Sequence, residues 1–369
     1  MKSNWIAAAL AAVGIVLSSP SFAWSENGHQ TVGAIADILI QGTNAETQVK
    51  AILGTASGQQ LTLQAVAVWA DCVRGVHPEQ SFTYDPGKYK VQACQIFEDD
   101  AGKQAMIDYA RRNNSNCPYS GKNSECHKSF HFADVDIEHD SYSTNYVGTH
   151  DYDIVHAIDA SILVLQGQPS HAPFDIASKK EALMLLTHFV GDLHQPLHVG
   201  AVYLDQDGSE VDPDAGAHDP ATDTIGGNAI SGTGGNLHAQ WDHTKFALTD
   251  PDAMNSLATQ ARRVGTTDGN YMHWAEIWAG DTIVVAQQAF QNVSFSSKGD
   301  GKTWLATYDD RRSYVHDMQT IQKQQVIKGG ARLAKLLMII WPDQNTTSDA
   351  GQVAPPAVGE FQPKSREGG

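Results

Sequence analysis

The chain has 369 residues, of which 41% are hydrophobic, and a formal net charge of -17 at pH 7. This length and apolar content can bury one large core or two modest ones, and no low-complexity tract indicates disorder through the body of the chain. Non-specific affinity for a phosphate backbone comes mostly from Lys and Arg, so an acidic surface argues against nucleic-acid binding through basic patches. If the substrate is a phosphodiester, metal ions must supply the attraction.

The first residues have the pattern of a signal peptide. A charged start is followed by an apolar run over residues 6–17, and Ser21 and Ala23 fit a cleavage site before Trp24. The alternative is a membrane anchor, but this run is shorter than the ~20 residues that span a bilayer, and no later segment qualifies. We therefore predict that residues 1–23 are removed and that the protein is exported, to the periplasm or out of the cell.

The cysteines fit an exported protein, because cysteines commonly pair in an oxidising compartment. Their number is even, and none has CxxC spacing: Cys72, Cys94, Cys117 and Cys126. Two disulfides are therefore favoured over ligation of a metal by sulfur. The sequence does not fix the pairing, although a bond between Cys117 and Cys126 across a polar loop is compatible with it.

Apolar residues recur with helical spacing along most of the chain. In HQTVGAIADILI they share one helix face, at Val32, Ile35, Ala36, Leu39 and Ile40. Similar stripes occur at 100–112, 153–166, 176–194, 237–247, 271–291 and 312–340. Alternation with a period of two is scarce, so we predict an all-α fold, a single domain of packed helices with long loops over residues 24–342. The Pro- and Gly-rich segment 343–369 is predicted to be a flexible tail.

One of these stripes contains the polar stretch HFVGDLHQPLHVG. His188 and Asp192 are four residues apart and so share one face of a helix. Pro196 ends the regular helix, and His198 can then fold back beside them. A single histidine on an apolar helix is usually a core residue whose hydrogen bonds are satisfied. Together with His194 this stretch has four such polar side chains, and four are much harder to bury for structural reasons alone.

The stretch NLHAQWDHT repeats the spacing with His238 and Asp242, directly after a glycine-rich segment. Two copies favour a metal site, and imidazole with carboxylate suits zinc. His29, Asp71 and His131 are further candidate ligands. Each also has a plain structural interpretation, as a helix cap, a salt-bridge partner and a core residue, respectively.

Taken in order, the motifs WSENGH, WADCVR, HFAD, HFVGDLHQPLH, GGN and NLHAQWD resemble those of the S-one/P-one family of single-strand-specific zinc nucleases, across nearly the whole mature chain. The resemblance implies a helical fold with three zinc ions in a cleft. The first ion would be held by Asp71, His131, His188 and Asp192. The second would share Asp192 and be held by His29 and by the amino nitrogen and carbonyl oxygen of Trp24. The third would be held by His198, His238 and Asp242. His194 matches no ligand position, so we interpret it as supporting or structural.

Four other residues match the family's pattern. Arg74 stands where the family often has Lys and would stabilise the pentavalent phosphorus, unless it is a surface arginine. Asn228 of GGN matches an amide that contacts phosphate. Phe132 would stack on a base and Asp134 would bond its edge, which explains a single-strand preference because a duplex hides the base faces. The alternative for Phe132 is core packing.

The chain departs from the family between His198 and Gly226, where an acidic insertion occupies about 204–225. Its composition is compatible with a lid, a calcium loop or surface decoration, and its charge beside a cleft would favour short substrates. The sequons at Asn113, Asn292 and Asn345 matter only if the source glycosylates its exported proteins.

The resemblance therefore predicts a zinc-dependent endonuclease and 3′-nucleotidase. It would hydrolyse the phosphodiester bonds of single-stranded DNA and RNA to give products with a 5′-phosphate, and it would also act on mononucleotides. No membrane or protein partner is implied. One alternative is a zinc-dependent phospholipase C, whose third-zinc motif resembles His-x-x-x-Glu rather than the pair ending in Asp242. The other is a non-catalytic zinc-binding protein, which has no use for Arg74 or Asn228. Base preference, the DNA-to-RNA ratio and oligomeric state do not follow from the sequence.

Overall fold

A computed structural model describes residues 24–56, 58–87, 90–117, 125–216, 218–232, 235–298 and 303–343. The predicted signal peptide and all but the first residue of the predicted tail lie outside these ranges, as does Asn345. The described helices are α1 (Glu26–Leu39), α2 (Asn44–Leu53), α3 (Leu63–Val66), α4 (Trp69–Cys72), α5 (Asp100–Arg112), α6 (Cys126–Ser129), α7 (Ile154–Leu165), α8 (Lys179–Leu193), α9 (Leu237–Asp242), α10 (Pro251–Ala261), α11 (Trp274–Phe290) and α12 (Arg311–Ile340).

The described strands are short, none exceeding five residues. They are β1 (Thr55–Ala56), β2 (Gln59–Gln60), β3 (Val76–His77), β4 (Thr83–Tyr84), β5 (Val135–Asp136), β6 (Gly200–Ala201), β7 (Ile230–Gly232), β8 (Gly235–Asn236), β9 (Val293–Ser297) and β10 (Trp304–Tyr308). The prediction of a mostly helical domain is confirmed. No helix in these ranges is long and apolar enough to cross a membrane.

Helix α8 runs through the centre of the helical layer. Its N-cap Ser178 accepts a hydrogen bond from the backbone N–H of Glu181, and every residue from Glu181 to Leu193 is buried. The helix contacts α1, α2, α3, α4, α7, α11 and α12. A helix surrounded in this way is apolar around most of its circumference. The polar side chains of His188 and Asp192 therefore face protein rather than bulk water.

Helix α1 packs against α12 through the predicted apolar stripe. Val32, Ile35 and Ala36 are fully buried, and Ile40, just past the helix end, is also buried. The approach is close at Gly330 of α12, where an added Cβ would lie 2.6 Å from the Ile35 Cβ. The glycine is thus required by packing, since no larger side chain fits between these helices.

The stripe expected at 237–247 forms a helix only as far as Asp242, because the N-terminal segment binds the next residues. The Ser25 backbone N–H donates to the Asp242 carbonyl at 2.8 Å, and the Phe246 N–H donates to Asn27 Oδ1 at 2.6 Å. These contacts hold the backbone extended after Asp242. No predicted stripe covers the five helices α2, α3, α4, α6 and α10.

The largest sheet has the strand order β8-β7-β10-β9, with β10 parallel to β7 and antiparallel to β9. It contributes Ile230 and Trp304 to a second apolar cluster, which also contains Trp241. Because α9 begins directly after β8, this sheet positions His238 and Asp242 at the edge of the helical layer.

Two disulfides tie the first part of the domain together. Cys72 bonds Cys94, and Cys117 bonds Cys126, so the pairing that the sequence left open is settled and no cysteine is free. Cys72 is the last residue of α4, directly after Asp71. The first disulfide therefore anchors the short helix that carries Asp71.

Candidate metal centre

Asp192 lies at the centre of a buried group of imidazoles. His188 Nε2 is 3.0 Å and His131 Nδ1 2.9 Å from Asp192 Oδ2, while His29 Nε2 is 3.1 Å from Asp192 Oδ1. His29 and His188 stack with their ring centroids 3.9 Å apart. Asp71 completes the group, with an oxygen within 4.8 Å of nitrogens of His29 and His188. One buried carboxylate therefore faces three imidazoles drawn from distant parts of the chain.

The second group contains His198, His238 and Asp242. The Nε2 atoms of His198 and His238 are 3.0 Å apart. His198 Nε2 is 4.0 Å from Asp242 Oδ1 and His238 Nε2 is 3.6 Å from Asp242 Oδ2. The amide of Gln195 donates to Asp242 Oδ1 at 2.6 Å and so orients this carboxyl group.

Backbone carbonyls fix the tautomers of three of these histidines. Nδ1–H of His188 donates to the Ala67 carbonyl at 2.7 Å. Nδ1–H of His198 donates to the carbonyl of residue 131 at 2.7 Å, and that of His238 to the carbonyl of residue 226 at 2.6 Å. Each Nε2 is therefore left facing its cluster, which is the usual arrangement of a metal-binding histidine.

The donor set fits metal ions, and bonds within the protein alone do not satisfy it. With Nδ1 protonated on both rings, the Nε2 atoms of His198 and His238 direct lone pairs at each other across 3.0 Å. His29 Nδ1, Asp71 Oδ1 and Asp242 Oδ2 are buried without a hydrogen-bond partner, and His29 Nε2 faces Asp192 Oδ1 at 3.1 Å without the geometry of a hydrogen bond. Buried polar atoms are nearly always partnered, so a cation explains what the protein leaves unpaired.

Burial keeps several imidazoles neutral and able to bind metal. It lowers the pKa of His131 to about 4 and that of His238 to about 3. It also lowers the pKa of His29. Burial also acts to lower the pKa of His188, but the charge and the hydrogen bond of Asp192 outweigh burial and raise the pKa of this imidazole.

Trp24 lies beside the first group. Its side chain is fully buried, and its indole N–H donates to the Gly191 carbonyl at 2.8 Å, one residue before Asp192. His29 is also close to Gly191, because a Cβ added there would lie 2.8 Å from His29 Nδ1. The start of the predicted mature chain is thus packed against the helix that carries the central carboxylate.

A cavity of about 250 Å³ opens beside both groups. Its lining residues are Arg74, Lys128, His131, Phe132, Asp134, Leu197, His198, Ile225, Gly226, Asn228 and His238. All four predicted substrate-contacting residues are therefore brought to one cavity with three of the predicted ligands. The NH1 of Arg74 is 3.6 Å from Asp71 Oδ1, which places a cation beside the first group.

Phe132 and Ile225 give the cavity apolar walls. Phe132 is partly exposed and belongs to neither apolar cluster, which disfavours the core-packing interpretation. Ile225 is 55% exposed and has a positive φ of 53°. An exposed β-branched residue in this conformation is uncommon and typical of functional loops.

Polar groups line the rest of the cavity. Burial raises the pKa of Asp134 to about 7, and the charge of Asp223 contributes. Asn228 Nδ2 donates to the Ile225 carbonyl at 3.0 Å, which engages one of its two N–H groups and leaves the other for a ligand.

Sequence reasoning missed Lys128 and Ile225. Lys128 lies on α6, three residues before His131, and its Nζ is 2.8 Å from Glu125 Oε2. Ile225 directly precedes the GGN motif, and this position could have identified it as a residue of the site. His194, by contrast, is satisfied: Nδ1–H donates to the Val190 carbonyl at 2.7 Å, and Nε2 accepts from Arg332 at 3.1 Å. Its structural interpretation agrees with this geometry.

Clustered imidazoles and carboxylates beside a cavity with cationic side chains are typical of a metal-assisted hydrolase. The chain matches the S1/P1 nuclease family over residues 24–341 and belongs to that family; this is the S-one/P-one family of the motif resemblance. Endonuclease 1 of Arabidopsis thaliana is 21% identical over 87% of this chain and 88% of its own length.

Two fungal relatives extend the comparison. Nuclease S1 of Aspergillus oryzae is 24% identical over 90% of this chain and 96% of its own length. Nuclease P1 of Penicillium citrinum is 26% identical over 84% and 95%, respectively. The protein is thus a nuclease, a hydrolase of phosphodiester bonds, with histidine–aspartate clusters that can hold metal ions.

Proposed function

We propose that the protein is a zinc-dependent nuclease and 3′-nucleotidase that cleaves single-stranded DNA and RNA. Water adds to phosphorus, the bond from phosphorus to the 3′ oxygen breaks, and the products carry a 5′-phosphate and a free 3′-hydroxyl. The observation that carries this proposal is the meeting of two histidine–aspartate groups with Arg74, Asn228 and Phe132 at one cavity.

The proposal includes three zinc ions, the number that the resemblance implies, and the clustered donor atoms support it. The proposed ligands of the first are Asp71, His131, His188 and Asp192. The second would be held by Asp192, His29 and the terminal amine and carbonyl of Trp24, and the third by His198, His238 and Asp242. Bound zinc supplies Lewis acidity and an acidified water, and offsets the negative charge of the substrate.

Side chains in the cavity would then orient the phosphate. The Arg74 guanidinium donates to non-bridging oxygens, whose negative charge grows as the fifth bond forms. The second amide N–H of Asn228 offers another donor to the same phosphate. Lys128 is the other cationic side chain of the cavity lining. Arg74 and Lys128 provide local positive charge on a chain that is acidic as a whole.

The apolar walls account for the preference for single strands. Phe132 offers a partly exposed ring to one face of a base, and Ile225 supplies a second apolar surface in the same cavity. Stacking needs a base whose face is free, and a duplex hides that face. Asp134, whose pKa is raised to about 7, can both donate to and accept from a base edge near neutral pH.

Export fits this use of Trp24. Cleavage behind Ala23 gives residue 24 a free α-amino group, which can bind zinc together with the carbonyl oxygen of the same residue. The amide nitrogen of an uncut chain has no such lone pair. We therefore propose that the enzyme matures on export, in the periplasm or outside the cell.

The rival functions have less support. A phospholipase C has no need of the partly exposed Phe132 and the base-edge carboxyl of Asp134 in one cavity. A zinc-storage protein has no need of Arg74 and Asn228 beside its metal ions. The nuclease relatives over most of the chain also favour the nuclease.

Metal analysis of the purified mature protein, with parallel assays on single-stranded DNA, RNA, a 3′-nucleotide and phosphatidylcholine, tests the proposal. We expect three zinc ions per chain and hydrolysis of the first three substrates. Hydrolysis of phosphatidylcholine alone would establish the phospholipase, and bound zinc with no hydrolysis would establish the storage protein.

A further inference from the structure

The backbone of Asp134 is held on both sides of its Cα by hydrogen bonds. Its N–H donates to the Gly148 carbonyl at 3.1 Å, and its carbonyl accepts from the Tyr203 hydroxyl at 2.7 Å. Of the Asp134 and Tyr203 side chains, only that of Asp134 lines the cavity. Because the backbone is fixed, the Asp134 carboxyl is limited to a few staggered positions, and the bond from Tyr203 helps to decide where it points.

Gly148 packs against this bond so closely that no larger residue fits. A Cβ added to Gly148 would lie 2.0 Å from the Asp134 carbonyl oxygen and 2.7 Å from the Tyr203 hydroxyl oxygen. The φ of Gly148 is also +87°, in the region that favours glycine. The carbonyl, the hydroxyl and the glycine thus form one tight contact. A shift of the Tyr203 ring would therefore be passed on to the Asp134 backbone.

The acidic insertion holds the Tyr203 ring in place. Tyr203 directly precedes the insertion and is only 5% exposed, and its carbonyl accepts from the Val211 backbone N–H at 3.0 Å. The His218 ring meets the Tyr203 ring at 87°, with the ring centroids 5.3 Å apart. His218 Nε2 is in turn 3.2 Å from Asp223 Oδ1. The insertion is therefore connected to Asp134 through Tyr203.

We propose that Tyr203 is a positioning residue for base recognition, and that the acidic insertion acts on the substrate through it. This inference rests on the proposed function, in which the Asp134 carboxyl bonds the edge of a base. A displaced carboxyl forms weaker hydrogen bonds, because their strength falls steeply as the angle and distance depart from the optimum. Loss of the Tyr203 hydroxyl should therefore weaken base binding and leave the bound metal and the phosphate contacts unchanged.

The test compares Tyr203→Phe with the wild type in the full mature protein loaded with zinc. This substitution keeps the ring and its contact with His218 and removes only the hydroxyl. We expect KM for a 3′-nucleotide to rise by roughly 2- to 10-fold, the range for one lost hydrogen bond. The zinc content, kcat and cleavage of a small aryl phosphodiester without a base should stay at the wild-type level.

Tyr142→Phe is the matched control for the loss of a tyrosine hydroxyl. The Tyr142 hydroxyl donates to Asp153 Oδ2 at 2.7 Å, the same distance as in the bond from Tyr203, and neither of these two described residues lines the cavity. Tyr142→Phe should lower the melting temperature without raising KM. An equal rise of KM in both variants would show a general loss of packing and overturn the role of Tyr203.

The insertion is tested at His218, whose ring packs against Tyr203. His218→Ala should raise KM for the 3′-nucleotide in the same direction as Tyr203→Phe. His218→Phe restores a ring at this position and should bring KM back toward the wild-type value. An unchanged KM in His218→Ala would overturn the role of the insertion.

A double substitution separates positioning of Asp134 from any other effect of Tyr203. Asp134→Ala should itself raise KM, and Tyr203→Phe should have no further effect in that background, because it acts only through Asp134. A full additional rise, or a wild-type KM in Tyr203→Phe beside a raised KM in Asp134→Ala, would overturn this inference alone. An unchanged KM in Asp134→Ala would refute both the proposed base contact and the role of Tyr203 in it.

Discussion

The two His-x-x-x-Asp pairs have the same spacing and opposite electrostatics. Asp192 is surrounded by imidazoles, and although burial raises its pKa, the charges of His188, His198 and His29 outweigh burial and hold it well below the usual range. Asp242 is also buried, and the pKa of its carboxyl lies well above the usual range because of that burial, with the charges of Asp192 and Asp71 adding to it. Spacing along a helix predicts which side chains meet, but the surroundings decide their charge.

The helices that carry the two pairs also differ. His188 and Asp192 lie on α8, a helix of 15 residues buried by neighbours along its length. His238 and Asp242 lie on α9, which has six residues and depends on the Asn236 cap and the adjoining sheet. We therefore expect the first pair to be formed by the protein itself and the second to depend on bound metal for its charged state.

The largest expected effect comes from removing the central carboxylate. Asp192→Asn should abolish nuclease activity and lower the zinc content, because an amide cannot bridge two ions as a carboxylate does. In metal-free protein it should also lower the free energy of unfolding by about 3 kcal/mol or more, since the buried imidazole of His188, whose pKa Asp192 raises, loses its counter-charge.

Asp242→Asn provides the matched comparison for this prediction. Burial raises the pKa of its carboxyl well above the usual range, and an amide resembles a protonated acid, so the metal-free protein should lose on the order of 1 kcal/mol or less. Chemical denaturation and metal analysis of both variants measure the contrast. Equal losses of stability would show that the two pairs are not electrostatically different.

The next effect concerns the chain start, where Trp24 packs beside the Asp192 group. A chain with an extra Met retained before Trp24 should fold, keep the third zinc, lack the second and be largely inactive. Native mass spectrometry and single-stranded DNA cleavage compare it with the same chain released at Trp24 by a protease. Three zinc ions and equal activity in both would refute the ligand role of Trp24.

Arg74 lines the cavity beside Asp71, so its loss should separate chemistry from metal binding. Arg74→Ala should leave the zinc content intact and reduce kcat by roughly 10²-fold, as when one electrostatic stabiliser is removed. Lys128→Ala is the comparison, and it should raise KM more than it lowers kcat if Lys128 only attracts the phosphate. An unchanged kcat for Arg74→Ala would make Arg74 a surface residue.

Sequence reasoning reached the parts of the site that depend on local spacing or on short motifs. It predicted the helices that carry His188 and His238, because an interval of four residues is fixed by helix geometry. The contact of His29 with Asp192 depends on tertiary packing, so spacing did not predict it, and only the family resemblance implied that these two residues share an ion. Nor could sequence reasoning predict the pKa of Asp134, because the charge of Asp223 acts on it only through the folded insertion.

A smaller effect on activity is expected at Phe132 in the cavity wall, where a substitution leaves both His-x-x-x-Asp pairs unchanged. Phe132→Ala should raise KM for single-stranded DNA by roughly 5- to 150-fold, the equivalent of 1 to 3 kcal/mol of stacking. Cleavage of a small aryl phosphodiester without a base should change little. Equal effects on both substrates, with a lower melting temperature, would instead indicate that Phe132 is a packing residue.

The smallest effect on activity is expected at His194, which shares its motif with the first pair but not its chemistry. Both ring nitrogens are engaged, by the Val190 carbonyl and by Arg332, which also bonds Asp281 and lies over Trp278. His194→Ala should therefore lower the free energy of unfolding by about 2 kcal/mol or more, because a buried donor loses its acceptor and a cavity remains. Zinc content and kcat per folded molecule should stay at the wild-type level, in contrast to His198→Ala. If folded His194→Ala lost zinc, zinc binding would depend on His194 as well as on the ligands of the motif. The two hydrogen bonds of the His194 ring would then not show that it is a structural residue.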